Sequence, residues 1–263
     1  MTGARQQQLA YLVAEPWPSI EELLAGLRAI DDWGRERGDA RGGFAAAYAL
    51  VTAAVADALD HGSFADPEWV VRVVLDFADR YRLAVQAAVN GEPDRPCWGP
   101  ALRPAGDGSG AAIVALVHAM IAHIHHDLAH TLSDCAPIHP LRATDYDHLG
   151  AVICGATRRI QRELLVAYAP ALRGAHEVLR GADTWLTNTL VRAWRMRARL
   201  VAERMSASPP QAAAWSRRLA RESAALAATL NALTWGLGRG RDASVHDTAP
   251  RLHGLLGRAQ SYS

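Results

Sequence analysis

The sequence predicts an all-α fold: a single-domain bundle of about seven or eight helices. Three observations predict it. Alanine and leucine recur along all 263 residues while β-branched runs stay short, and both features favour helix. No Asn-Gly or Asp-Gly turn sits between alternating strands. Long segments instead repeat apolar residues at helical spacing between start and stop signals.

The elements follow in order. Ser19 with Glu22 forms a capping box that opens a helix to about Trp33. Gly42-Gly43 is read as a break, and Phe44 to Leu59 as the next helix, stopping near His61-Gly62. Asp66-Pro67-Glu68 combines a cap, a first-turn proline and an acid at the positive helix end. Its helix is expected to reach Asn90-Gly91 on a stripe of Val70, Val73, Val74, Phe77, Tyr81 and Val85. Residues 91–109 read as a loop. Ser109 opens a long helix to about Ser133, which Pro137 and Pro140 terminate. Thr144 or Asp145 opens the next, to about Tyr168. Pro170 and Gly174 mark a turn, with room for a short helix after it. Asp183 to Met205 is helical, and Ser208-Pro209 starts a last helix to Trp235. Gly236, Gly238 and Gly240 read as a stop. This gives one domain over residues 1–240 and a short C-terminal tail over 241–263.

Composition narrows the function. The net charge is +1, so no basic excess points to nucleic acid. No apolar stretch is read as long enough for a membrane, and residues 1–15 lack a secretory pattern. The cytoplasm is the expected compartment. All 28 basic residues are Arg. Without lysine there is no Schiff-base chemistry and no P-loop lysine. Cys97, Cys135 and Cys154 are odd in number and widely spaced, so they are read as free thiols.

The chemistry concentrates in one helix. Five of eleven histidines fall between His118 and His130, in the run H-A-M-I-A-H-I-H-H-D-L-A-H. At about 100° per residue, His123 at zero puts Asp127 near 40°, His130 near 340° and His126 near 300°. His118 and His125 point away, near 200–220°. The i,i+4 spacing lets His123 and Asp127 converge on one ion or one proton. Imidazole and carboxylate suit a divalent metal (zinc, iron or manganese), with His123, Asp127, His130 and His126 as candidate ligands. The plainer reading is a set of core and surface histidines with one helix ion pair.

The same residues carry a resemblance. Ala122, His123, Ile124, Asp127 and Leu128 match an Asn-Ala-His-Ile-x-x-Asp-Leu motif, with Ile121 in place of its Asn. Tyr48 to Thr52, Phe64 to Pro67, Phe77 to Tyr81, Trp98, Asp145-Tyr146 and Trp185 follow in the expected order, with Asp79 where Asn is expected. Over roughly residues 44–235 the chain resembles a bacterial family of all-helical proteins of unknown function (DUF5995-like). The resemblance implies the fold and the importance of the histidine helix, and it names no reaction. It favours His123 and Asp127 over His130, and brings Asp79 and Tyr81 forward as pocket residues.

Other groups are weighed beside these. Asp145 or His148, in the first turn of the following helix, would complete the site if the two helices pack antiparallel. Asp76 and Arg80 have ordinary ion-pair spacing. Most of the eight tryptophans are expected in the core. Arg192, Arg195, Arg197 and Arg199 read as a solvated face, with sulfate or phosphate binding as the other reading.

The expected function is an enzyme for a small-molecule substrate, possessing His123, Asp127, Asp145 and Tyr81 as catalytic residues. Hydrolysis and leaving-group displacement or cyclisation both fit, in a biosynthetic role. The alternative is a non-catalytic interaction protein or a partner subunit, and a homo- or hetero-oligomer is open. An oxidative di-iron bundle ranks below both, because no E-x-x-H motif is present.

Overall fold

The computed structural model describes residues 2–92, 97–103, 109–135, 140–172, 177 and 181–256. Among the described residues there is no strand. The helices are α1 (Thr2–Leu12), α2 (Ile20–Arg37), α3 (Gly42–Asp60), α4 (Pro67–Asn90), α5 (Gly99–Leu102) and α6 (Ser109–Met120). A π-helical segment (Ile121–Asp127) joins α6 to α7 (Leu128–Asp134). Then come α8 (Pro140–Tyr168), a 3-10 turn (Pro170–Leu172), α9 (Ala182–Met205) and α10 (Pro209–Leu256). The contacts divide the chain into two units, Met1–Ala224 and Ala225–Ser263. The site lies wholly in the first. The described part of the second is the remainder of α10.

The cap signals act as read. Ser19 accepts from the Glu22 amide, and Gly38 closes α2 in the left-handed region at φ 61°. Asp66 accepts from the Trp69 amide with Pro67 in the first turn, and Gly91 closes α4 at φ 70°. The core runs from Leu9 and Val13 through Leu27, Trp33 and Trp69 to Val201 and Leu219.

Several expectations are corrected. Gly42-Gly43 does not break the chain; it begins α3. A Cβ on Gly42 would lie 2.5 Å from the Tyr168 hydroxyl and 2.8 Å from the Gly34 Cα. The glycines therefore serve close approach of α2, α3 and α8 rather than a turn. The helix α1 was not read from the sequence, and α5 lies in the expected 91–109 loop. The Gly236 to Gly240 stop is absent, since α10 continues to Leu256; an isolated glycine costs a helix only about 1 kcal/mol. Pro137 and Gly174, with the short helix expected after it, lie outside the described residues.

Among the described residues two helices are, by length and composition, apolar enough to cross a membrane: Gly42–Asp60, mean hydropathy 1.5, and Ala112–Asp134, mean hydropathy 1.3. Both are mostly buried within the bundle. Core helices packed on several sides read this way because they lack a polar face.

Candidate active site

The π segment sets the local geometry. The Leu128 amide donates to the His123 carbonyl, five residues back, which is the π pattern. The 100° advance per residue therefore fails here. His123, His125, His126 and Asp127 are all buried; His125 points away from His123 as expected, toward Ser223 and Trp194.

Asp127 is the hub. Its Oδ2 accepts from the Trp98 indole N–H at 2.8 Å. Its Oδ1 lies 2.8 Å from His126 Nδ1. His123 Nδ1 stands 3.8 Å from Oδ2, an ion-pair distance rather than a hydrogen bond. Burial pushes the Asp127 carboxyl up, but the His123 and His126 imidazoles outweigh it and hold the group at about 2. It is a carboxylate at neutral pH.

His123 is 3% exposed, and neither ring nitrogen has a hydrogen-bond partner. Phe77 stacks on it, with ring centroids 3.5 Å apart and planes 9° apart. Tyr48 and Phe44 present edges at 5.0 and 5.4 Å. Burial lowers the His123 pKa, against the opposing pull of Asp127. The imidazole is therefore neutral near pH 7.

One side of His123 faces a cavity of about 560 Å³, within the range of small-molecule sites. Its walls come from α3, α4, α6, the π segment, α7, α8 and α9, and they are overwhelmingly apolar. Leu116, Val117 and Ile124 line one side, and Ile160, Leu164 and Leu190 another. Polar wall groups are few: Tyr48, His123, Thr157, Gln161, Asp183, Thr187 and Arg195. The exposed Leu186 (61%) and Leu190 (38%) mark its opening.

The remaining expected residues are placed elsewhere. His130 does not join His123 and Asp127; its ring lies 5.0 Å from that of His126. Burial lowers the His130 pKa to about 4. Among the described residues, no three His, Cys, Asp or Glu side chains group as a metal set. Asp145 accepts from the amides of Ala65 and Asp66, at 2.8 and 2.7 Å. It anchors the α3–α4 connection to α8 and does not line the cavity. Tyr81 belongs to the ring cluster around the site, 6.4 Å from His123 and 5.5 Å from Trp98, without lining the cavity, and burial pushes its phenol up. Asp79 pairs with Arg82, and Arg80 bridges Asp76 and Asp134. His125 hydrogen-bonds Ser223.

Three residues at the site stand apart from the sequence expectation. Trp98, expected as a core tryptophan and a family residue, is buried and gives its indole N–H to the central carboxylate. Phe77 was read as core stripe, yet it stacks on the imidazole. Arg195 was read as solvated, yet it is 6% exposed and lines the cavity. Trp185, expected in the core, is exposed instead.

Fold and site together define an all-helical protein with a buried His–Asp pair against an apolar chamber. The chain belongs to a family of unknown function (DUF5995), whose model matches residues 20–233. No curated protein and no solved structure matches the chain.

Proposed function

We propose that the protein is an enzyme acting on an apolar small organic molecule, with His123 as general acid–base and Asp127 as its orienting carboxylate. One observation carries the reading: the His123 imidazole borders the 560 Å³ cavity with both nitrogens free of hydrogen-bond partners. A buried polar group normally finds a partner, and an exception calls for a role. Substrate or a bound water would supply it.

In this reading substrate uncovers His123 Nε2, which is buried in the resting structure, and Nε2 removes a proton from substrate or water. Its Nδ1 side faces Asp127, and the 3.8 Å gap closes as charge develops on the ring; such contacts are often long before substrate binds. Asp127, fixed by Trp98 and His126, then balances the imidazolium. The stacked Phe77 holds the ring plane and offers a π face to the cation. Hydrolysis and leaving-group displacement or cyclisation both fit, because the imidazole can take a proton from the nucleophile and return it to the leaving group.

A probe of base strength tests it. With 5-nitrobenzisoxazole, the base removes the C3 proton and the N–O bond breaks to give a coloured cyanophenolate. We expect turnover to fall by about 10²-fold or more in His123→Ala, the usual scale for a general base. Asp127→Asn should fall less. Equal rates in wild type and His123→Ala would sink the proposal.

A second reading rests on His126 and His130, whose Nε2 atoms also lack hydrogen-bond partners. They would offer two ligands to zinc, iron or manganese, where a catalytic ion usually takes three from the protein. Metal analysis of untagged protein checks it: stoichiometric metal lost in His126→Ala supports this reading, and none at all removes it.

A further inference from the structure

Arg195 is an unusual wall residue for an apolar chamber. It is 6% exposed. Its Nη2 donates to the Tyr146 carbonyl at 2.6 Å, and its guanidinium sits 4.1 Å over the Tyr146 ring. Among the described residues no carboxylate pairs with it. Its neighbours differ: Arg197 pairs with Glu222, and Arg199 with Glu203. A guanidinium carries five N–H donors, and one carbonyl leaves most of them unused. A buried cation without an anion is costly to maintain.

The chamber's shape supplies the rest. Arg195 and Asp183 both line it and lie twelve residues apart on α9, about 18 Å along the axis. Between them Val191, Leu190 and Leu186 lead to the opening. At the interior packing density of about 0.74, a 560 Å³ chamber holds on the order of 20 non-hydrogen atoms. The donor set asks for an anion, and the walls ask for an alkyl chain.

We infer that the cavity takes a single-chain amphiphile, its anionic head on the Arg195 guanidinium and its chain running toward the opening at Leu186 and Leu190. This names the substrate class for the site under Proposed function and rests on that cavity. A carboxylate and a phosphate monoester share the required chemistry, since the Arg fork takes either in two parallel hydrogen bonds.

The test is binding of hexadecanoate, hexadecyl phosphate and hexadecanol to the full chain, followed by calorimetry and by fluorescence of the wall residue Trp194. At least one anion should bind one per chain, and hexadecanol at least about tenfold more weakly, as expected when a charge-assisted pair is lost. The tighter anion identifies the head group. Arg195→Gln should bring anion and alcohol to similar affinity. Leu116→Trp, which fills the chamber, should abolish binding of all three. Should Arg195→Gln not fold, Arg195→Lys replaces it and must weaken the anion more than the alcohol. Equal affinity of alcohol and anions in wild type, retention of the preference in the Arg195 variant, or no binding of any probe overturns the inference. Two readouts separate the proposals: 5-nitrobenzisoxazole turnover reports on the base at His123, and hexadecanoate binding reports on the chamber. Proton transfer by a chain that binds no probe sinks the amphiphile alone.

Discussion

The indole N–H of Trp98 and the carboxylate of Asp127 meet at 2.8 Å, on the same oxygen that faces His123 across 3.8 Å. Trp98 comes from the segment just before α5 and Asp127 from the end of the π segment, so one hydrogen bond ties a connection to the histidine helix. The indole fixes Oδ2 on the His123 side, while His126 takes Oδ1.

Removing that donor has a defined cost. Trp98→Phe keeps an aromatic ring but leaves a buried carboxylate oxygen short of a partner, for a loss of about 1–3 kcal/mol. Urea denaturation at pH 7 measures it. The same variant should turn over 5-nitrobenzisoxazole more slowly, since Asp127 would no longer be held.

Asp127 also fixes a pH dependence. Its folded pKa of about 2 lies below the ordinary carboxyl value of about 3.9. A group depressed on folding adds stability that is complete above the unfolded pKa and lost as pH falls through the folded one. The window is therefore pH 4 down to 2, and the effect is on the order of 2 kcal/mol. The stability gap between wild type and Asp127→Asn should shrink across that window.

Histidine protonation acts at higher pH. Burial and the neighbouring His126 lower His130 to about 4. The unfolded chain binds this proton near pH 6.5, so stability is complete above 6.5 and declines as pH falls toward 4. NMR of the His130 ring should show a midpoint near 4; a midpoint at 6.5 would contradict the burial described.

Glycine substitutions separate packing from propensity. Gly42→Ala drives a Cβ to 2.5 Å from the Tyr168 hydroxyl and 2.8 Å from backbone, and should cost about 1–3 kcal/mol by overpacking. Gly155 lies within α8 with nothing within 4 Å of an added Cβ. Gly155→Ala should stabilise by about 0.5–1 kcal/mol. Thermal melts of the two variants should move in opposite directions.

The helix starts at Ile20 and Pro67 were legible because Ser19 and Asp66 signal locally. Likewise the pairing of His123 with Asp127 followed from their spacing. What failed depended on contacts between distant segments. Gly42 looked like a breaker because its partner Tyr168 is 126 positions away along the chain. Arg195 looked solvated because its charge hides the fact that its helix face meets Tyr146. The grouping of His130 with His123 failed because a seven-residue π segment changes the angular step, and no local sequence rule announces that change.

The π segment has a further consequence. A wider turn absorbs an extra residue while the ordinary helices on either side keep their phase with their neighbours. Packing of α6 and α7 is thus insulated from the histidine-bearing turn between them. The residues around His123 are free to diverge, by replacement or by loss of one residue in that stretch, without re-indexing the scaffold that holds them.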